Sequence, residues 1–429
     1  MTDPDLGALL AKHASALGIP GAALGVLRDG VRTVATYGIE DVRTGAPVDA
    51  GSRFSAGSLT KSMVAAVVAR LAAQGRLGLD DRVASHIPEL AGAGWAQTAT
   101  LRDLLANRSG LPLRRGLEFD FESSDAGEDA LARFAARVAA EESTPVPWSY
   151  TNAGYALVGR AIETVTGTVW EEAMRVELFE PAAMFESVFA LRDAPVARVA
   201  GHDMTDAGPV PVAPLTTRAL GPAGTTLVST VGDLLAFARL QFQDPALAVL
   251  REPSADVRIH AWLDRWCLGL GWFDWQGADV WGWDGLIEGE RSILRLIPER
   301  HAAAALVTNS SNGRLLYRSL FPELMRSLFG VEVPPLLLDP DPGAAGDLSR
   351  FVGTYAWPDR QVEVSAVGER LVITSDGRAR EASPISERVF LVDSHDPDNP
   401  TVTFGDFDAD GLSQTLYLML WGSPRTGEV

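Results

Sequence analysis

A proline- and glycine-rich segment, residues 333–347, divides this 429-residue chain into two parts with different hydrophobic patterns. Before this segment, long stretches with apolar residues at helical spacing alternate with shorter, strand-like apolar runs. After it, only short β-like runs separated by turn residues are found. The change of pattern predicts a large mixed domain (residues 1–332), a linker (residues 333–347) and a small all-β domain (residues 348–429).

The first part has strand patterns near both of its ends. A helical pattern at residues 6–17 precedes two apolar runs joined by an Asp-Gly turn, and four more β-like runs lie between residues 268 and 308. The region from about residue 80 to residue 215 shows mostly helical patterns, which are interrupted by Pro, Gly and Ser. We therefore expect an α/β fold in which both ends build one sheet, helices cover it, and a helical region is inserted.

The second part is expected to form a β-barrel or sandwich, because its strand patterns are short and closely spaced. The runs that indicate strands lie at residues 362–364, 371–374, 389–392, 402–404 and 416–420.

Composition and charge narrow the functional classes. A net charge of −19 disfavours nucleic acids and anionic membranes as partners. The N-terminal residues include neither a basic region nor a long apolar stretch, so we expect no signal peptide, no membrane span and a cytoplasmic location. Cys267 is the only cysteine and is expected to be a buried apolar residue, and no Cys/His group has zinc spacing. We expect neither a metal nor a cofactor.

Lys61 is one of only two lysines in the chain, the other being Lys12, whereas the remaining basic residues are arginines. It follows Ser58 by three residues at the start of a predicted helix, so the two side chains share a face. A lysine can act as a base where an arginine cannot, and the helix N-terminus favours developing negative charge. The pair therefore supplies a candidate nucleophile and base, although Ser-x-x-Lys also occurs by chance.

Two further motifs could face the same cleft. Tyr150 and Asn152 stand before a predicted helix, where a phenol can move a proton and an amide can hold a carbonyl or Lys61. Trp283, Asp284 and Gly285 lie on a predicted strand whose glycines would let a ligand approach the backbone closely. Taken singly, Tyr150 also fits a packing role, and the strand also fits an aromatic-rich sheet edge.

In this order and spacing, the motifs resemble those of the serine β-lactamase and penicillin-binding-protein-like hydrolases. The resemblance is strongest to the class C-like branch, which includes family VIII carboxylesterases and D-stereospecific aminopeptidases. It covers roughly residues 6–330, and the second part, with its Phe-Val-Gly-Thr-Tyr sequence at 351–355, resembles a lipocalin-like domain found on some members. The segments that carry the resemblance are residues 54–61, 101–105, 109–112, 150–155, 223–224, 229–230, 233–234 and 282–289.

The resemblance implies a β-lactamase-like antiparallel sheet flanked by helices, and it implies roles for individual residues. Ser58 would form the acyl-enzyme, and Lys61 and Tyr150 would act together as the general base. Asn152 would position Lys61 and the substrate. The backbone N–H groups of Ser58 and Leu286 would form the oxyanion hole.

This chain departs from the family pattern at the third motif, which is usually Lys-Thr-Gly or His-x-Gly. Trp283 cannot supply the cation that binds a substrate carboxylate, and this argues against β-lactamase and D,D-peptidase activity. A tryptophan at this position resembles the third motif of some family VIII esterases. Asp284 is expected to add a negative charge at the cleft. Asn107 and Arg108 replace a common His-Thr pair, and the sequence offers no explanation for that change.

The sequence therefore predicts a serine hydrolase that acts on a small-molecule ester or amide, with small neutral esters favoured. One alternative keeps the chemistry but directs it to amides, as in a D-stereospecific peptidase or amidase or a peptide-cyclising thioesterase of the penicillin-binding type. Another alternative is a non-catalytic acyl-binding or sensor protein that has lost turnover at Trp283. The sequence predicts no particular oligomeric state.

Overall fold

A seven-stranded antiparallel sheet lies at the centre of the first part of the chain, and its strand order is β2-β1-β12-β11-β10-β9-β8. The structure is a computed structural model that describes residues 5–111, 127–143, 148–193, 196, 198–255, 257, 259, 263–335, 339–357, 360–392 and 401–427. The strands of this sheet are β1 (Gly21–Arg28), β2 (Val31–Gly38), β8 (Arg265–Trp266), β9 (Gly271–Trp275), β10 (Ala278–Ile287), β11 (Glu290–Ile297) and β12 (Ala302–Thr308).

The two ends of the first part meet in the middle of the sheet, where β1 pairs with β12 from Ala22 opposite Thr308 to Leu27 opposite Ala303. Both strands are buried almost throughout because helices cover both faces. Their near-continuous apolar sequences reflect this burial. The predicted α/β fold, an antiparallel sheet flanked by helices, is therefore confirmed.

Helices pack on both faces of the sheet. The α-helices of the described residues are α1 (Leu6–Ala16), α2 (Thr60–Ala73), α3 (Val83–His86), α4 (Leu101–Leu105), α5 (Ala130–Val138), α6 (Asn152–Thr166), α7 (Trp170–Met174), α8 (Glu180–Ala182), α9 (Val231–Gln243) and α10 (Gly313–Phe329). Arg295 of β11 contacts Tyr317 of α10 on one face, whereas Gly25 of β1 faces Leu235 of α9 on the other. None of the helices in the described ranges is long and apolar enough to cross a membrane.

The segment predicted as a helical insertion, residues 80–215, contains α3 to α8 but also strands. Its strands are β4 (Val188–Phe189), β5 (Gly201–Thr205) and β6 (Gly208–Val212), and β4 pairs with β7 (Leu227–Ser229), which also pairs with β3 (Phe54–Ser55). The hairpin of β5 and β6 was not predicted, because Pro209 and Pro211 interrupt the strand pattern. Prolines are compatible with this two-stranded sheet, in which β6 has no partner on its other edge among the described strands.

The second part forms a closed antiparallel barrel of eight strands, so the predicted all-β barrel is confirmed. Aliphatic and aromatic side chains fill its interior, and the rings of Phe351 and Phe404 lie 4.7 Å apart. The five predicted runs correspond to β14, β15, β17, β18 and β19. The barrel strands are β13 (Gly353–Trp357), β14 (Arg360–Val367), β15 (Arg370–Ser375), β16 (Arg378–Pro384), β17 (Val389–Val392), β18 (Thr401–Phe407), β19 (Ser413–Leu418) and β20 (Trp421–Gly427).

Three barrel strands, β13, β16 and β20, were not predicted. The sequence of β16 contains three charged residues and a Pro, and that of β20 contains Gly and Pro, so neither carries an apolar strand signal. Parts of two predicted segments, Pro112 of the 109–112 motif and residues 336–338 of the linker, lie outside the described residues.

Candidate active site

The turn that carries Ser58 connects β3 to the buried helix α2. Residues 57–59 form one 3-10 turn, and the α-helix begins at Thr60, two residues later than the predicted start at Ser58. Lys61 lies in the first turn of α2 and is 0% exposed. Its Nζ donates hydrogen bonds to Ser58 Oγ at 3.0 Å and to the Ala223 carbonyl at 2.7 Å. The predicted nucleophile and base are therefore in direct contact.

Two glycines allow the surrounding backbone to approach this turn. Gly57 has a φ of +52°, and a Cβ at that position would lie 2.7 Å from the Leu286 backbone nitrogen. Gly224 has a φ of +128°, and a Cβ there would lie 2.1 Å from the Gly57 carbonyl oxygen. Only glycine fits either position without strain. The turn is consequently held between β10 on one side and the chain following Ala223 on the other.

Tyr150 lies beside Lys61. The Lys61 Nζ is 4.9 Å from the centroid of the Tyr150 ring and 5.7 Å from that of Tyr155. Burial, and secondarily the neighbouring Tyr150, raise the pKa of Tyr155 well above its usual value, so Tyr155 stays protonated. Its hydroxyl donates to the Leu105 carbonyl at 2.8 Å, which makes Tyr155 a packing residue. Of the two tyrosine rings, that of Tyr150 lies nearer to the Lys61 ammonium.

Asn152 is the first residue of α6, two residues after Tyr150, and it is half-buried. The preceding Thr151 is the N-cap, and its hydroxyl accepts a hydrogen bond from the Ala153 N–H at 3.1 Å. This cap fixes where the helix begins and hence where the Asn152 side chain leaves the backbone. Asn152 is thus at the same end of α6 as the predicted base.

Trp283 contacts Tyr150 rather than open solvent. Its indole Nε1 donates a hydrogen bond to the Tyr150 hydroxyl oxygen at 3.0 Å, and its side chain is 2% exposed. The Trp283 ring also packs edge-on against Trp266 at 4.7 Å, and Trp266 packs edge-on against Tyr150 at 5.7 Å. A neutral donor aimed at the phenol oxygen favours negative charge there.

Asp284 does not bring an uncompensated charge to the cleft, contrary to the prediction. Its Oδ1 accepts a hydrogen bond of 2.5 Å from Arg295 Nη1, and Arg295 is 2% exposed. Burial by itself lowers the pKa of Arg295, whereas the neighbouring Asp284 carboxylate raises it. The net result is a pKa above the usual value for arginine. The reason is strand alternation: side chains of consecutive residues point to opposite faces, so Trp283 faces Tyr150 while Asp284 faces α10.

Near Leu286, one edge of strand β10 is not paired with another of the described strands. Strand β9 pairs with β10 only as far as Gly282 opposite Gly271, and β11 pairs with the other edge through Ile287. The Leu286 side chain is 55% exposed, whereas its backbone nitrogen lies beside Gly57. Gly285 approaches the same turn closely, since a Cβ there would lie 2.0 Å from the Ala56 carbonyl. Residues 283–287 can therefore present backbone groups to a bound molecule.

Asn107 is a residue of this site whose role the sequence did not predict. It has a φ of +55°, in the left-handed region that asparagine tolerates better than most residues. Its carbonyl accepts from the Ser149 N–H at 3.0 Å, and its Oδ1 accepts from the Thr151 N–H at 3.2 Å. Asn107 therefore holds the backbone on both sides of Tyr150, which gives a physical reason for asparagine at this position.

Other predicted features can be located as well. Cys267 is buried, and burial raises the pKa of its thiol to about 12, as expected for an unreactive packing residue. No group of three or more His, Cys, Asp or Glu side chains in the described part of the chain is arranged to hold a metal ion.

Comparison with known proteins agrees with this architecture. The Beta-lactamase family model matches residues 7–320. The chain is 34% identical to Penicillin-binding protein 4 of Amycolatopsis lactamdurans over 360 residues, covering 79% of this chain and 93% of that protein. The crystal structure of SurE superimposes with a TM-score of 0.81 at 28% identity and covers 98% of both chains. D-amino acid amidase from Ochrobactrum anthropi SV3 shares the fold, with a TM-score of 0.65 at 21% identity over 75% of this chain and 96% of that one. The chain therefore belongs to the β-lactamase family of penicillin-binding-protein-like serine hydrolases.

Proposed function

We propose that this protein is a serine hydrolase that forms an acyl-enzyme on Ser58 and transfers the acyl group to water. The observation that carries the proposal is the 3.0 Å contact between Lys61 Nζ and Ser58 Oγ, made by a fully buried lysine. Tyr150 is the third group, and the centroid of its ring lies 4.9 Å from Lys61 Nζ. A nucleophile within hydrogen-bond reach of a base, with a third group beside the base, is the arrangement that nucleophilic catalysis requires.

In the acylation step, Ser58 Oγ attacks the carbonyl carbon of the substrate while its proton passes to the pair of Lys61 and Tyr150. The N–H groups of Ser58 and Leu286 stabilise the negative oxygen of the tetrahedral intermediate. The pair then returns the proton to the leaving alcohol, whose bond to carbon breaks. Water attacks the acyl-enzyme in the same way, and the products are a carboxylic acid, an alcohol and free Ser58.

The substrate class we favour is a small neutral ester. Where many family members have a cation, this chain has Trp283, whose single N–H is already donated to Tyr150. The nearby Arg295 is buried on the opposite face of β10 and is bonded to Asp284. The third motif therefore offers no cation for a substrate carboxylate, which favours uncharged acyl groups.

A second candidate is acyl transfer from substrates with D-residues, either hydrolysis of an amide or transfer to an amine. Two structural neighbours support it: SurE has a crystal structure with D-Leu, and the amidase from Ochrobactrum anthropi has one with D-phenylalanine. The first of these matches almost the whole chain. This candidate uses the same Ser58, Lys61 and Tyr150 and changes only the leaving group and the acceptor.

A trapping experiment tests the shared chemistry. After incubation with a fluorophosphonate, mass spectrometry of peptides should find the phosphonyl group on Ser58. No label, or label confined to another serine, would refute the proposal and favour the non-catalytic alternative.

A comparison of kcat/KM for p-nitrophenyl butyrate and for D-phenylalanine amide distinguishes the two substrate classes. We expect the ester to be the better substrate, and a clear preference for the D-amide would establish the second candidate.

Replacing Trp283 by phenylalanine is expected to lower kcat/KM for p-nitrophenyl butyrate about 10-fold. The change keeps the aromatic packing but removes the donor to the Tyr150 oxygen, and a hydrogen bond to a charged group contributes about 1.5–3 kcal/mol. The measurement is steady-state kinetics, with Trp272→Phe as the control because Trp272 lies on β9 and is half-exposed. An unchanged kcat/KM for Trp283→Phe would show that this hydrogen bond has no catalytic role.

A further inference from the structure

The hairpin that joins β19 to β20 reaches from the barrel to the segment carrying Tyr150. The Tyr150 N–H donates to the Leu420 carbonyl at 3.0 Å, and the Gly422 N–H donates to Ser149 Oγ at 3.3 Å. The rings of Tyr417 and Trp148 lie 6.2 Å apart. Residues 417–422, here called the docking hairpin, thus contact each of the residues 148–150.

The docking hairpin is packed into the core of the first part rather than that of the barrel. Tyr417 and Leu420 are buried in the same hydrophobic core as Tyr150 and Trp266, and the interior of the barrel is a separate core. The two loop residues are Met419 and Leu420, where two-residue hairpins favour Asn-Gly or Asp-Gly. Met419 has a φ of +56°, which is unusual for a large apolar residue. Two large apolar residues are therefore unfavourable for forming the tight turn but favourable for packing against the first part of the chain.

We propose that the docking hairpin positions the catalytic Tyr150, so that acylation of Ser58 requires the docked barrel. The inference rests on the proposed function. Asn107 holds the backbone of Ser149 and Thr151 from one side, and Leu420 holds that of Tyr150 from the other. Together they fix where the phenol lies relative to Lys61. Misplacement of a catalytic group by about 1 Å can reduce a rate about 100-fold.

Gly422 offers a way to separate the docking hairpin from Tyr150 without removing the barrel. An added Cβ would lie 2.6 Å from the Trp148 carbonyl oxygen and 3.0 Å from a carbon of the Tyr417 ring. Gly422 does not have a positive φ, so alanine leaves the strand conformation unstrained and acts through this contact. Gly427 lies on the same strand, and a Cβ there meets nothing within 4 Å, which makes Gly427→Ala the matched control.

The test compares Gly422→Ala, Gly427→Ala and the unmodified full-length protein. For Gly422→Ala we expect about 10- to 100-fold slower labelling of Ser58 by the fluorophosphonate, and a lower kcat for p-nitrophenyl butyrate at nearly unchanged KM. Hydrogen exchange of the Tyr150 amide should accelerate while exchange within β14 and β15 stays the same. Gly427→Ala should match the unmodified protein in all of these measurements.

Labelling of Gly422→Ala at the unmodified rate would overturn the positioning role while leaving the proposed function intact. Absence of labelling in the unmodified protein would instead refute the proposed function and the inference with it. Should Gly422→Ala fail to fold, Ser149→Ala removes the acceptor of the Gly422 N–H without adding atoms. That variant should label severalfold more slowly with an unchanged melting temperature, and an unchanged labelling rate would overturn the inference.

Discussion

Replacing Ser58 by alanine is expected to abolish fluorophosphonate labelling and to lower kcat for p-nitrophenyl butyrate by at least about 10⁴-fold. Loss of the nucleophile removes the acyl-enzyme route altogether, and in other serine hydrolases such a loss reduces kcat by about 10⁶-fold. The residual rate would come from the remaining groups that bind and polarise the carbonyl. The measurement is pre-steady-state and steady-state ester hydrolysis, with the labelled residue identified by mass spectrometry.

The control for this variant is Ser85→Ala. Ser85 is an exposed serine on α3, away from the turn that carries Ser58, so its replacement should leave labelling and turnover unchanged. Ser58 is only half-buried, so Ser58→Ala should unfold within a few degrees of the unmodified protein. Equal ester turnover by Ser58→Ala and the unmodified protein would exclude Ser58 as the nucleophile.

The sheet was predictable because its central strands are buried on both faces and therefore have continuous apolar sequences. β1 and β12 lie far apart in the chain, yet each carries this signal by itself. Strands that lack an apolar pattern were not predictable. In β16 charged residues are mixed with small ones, and β6 contains two prolines, so their pairing partners, rather than their own residues, make them strands.

Those residues of the candidate site whose proposed role depends on a reactive side chain could be predicted from the sequence. Ser58, Lys61 and Tyr150 have reactive groups in a recognisable order, and the structure brings them together. Asn107 contributes a left-handed backbone and two accepted hydrogen bonds, which no sequence motif records. The pairing of Asp284 with Arg295 depends on which face each side chain occupies, and that is visible only once the strand register is known.

The contact between the docking hairpin and Tyr150 could not be predicted from the sequence either, because the two segments lie far apart in the chain. Leu420 and Tyr150 are joined by one backbone hydrogen bond across 270 residues of chain. The Met-Leu loop is an unfavourable turn sequence, but Leu420 is buried in the same hydrophobic core as Tyr150. The crystal structure of SurE matches both parts of the chain, with 98% coverage.

Replacing Lys61 by arginine is expected to lower kcat by at least about 10³-fold. Arginine keeps the positive charge but cannot release its proton at working pH, so it cannot serve as the base that activates Ser58. The buried site also has to accommodate the planar guanidinium beside the Ala223 carbonyl. Lys61→Met is the companion variant, because it removes the amine without adding a charge and should be equally inactive.

The other lysine of the chain provides the control. Lys12 is 62% exposed and pairs with Glu323 at the surface, so Lys12→Arg preserves this ion pair and should leave activity and melting temperature unchanged. The decisive comparison is the rate of Ser58 labelling in Lys61→Arg and Lys12→Arg under the same conditions. If Lys61→Arg labelled at a near-normal rate, a positive charge alone would suffice next to Ser58. The proton would then have to pass directly to Tyr150, and Lys61 would act only by holding that phenol in place.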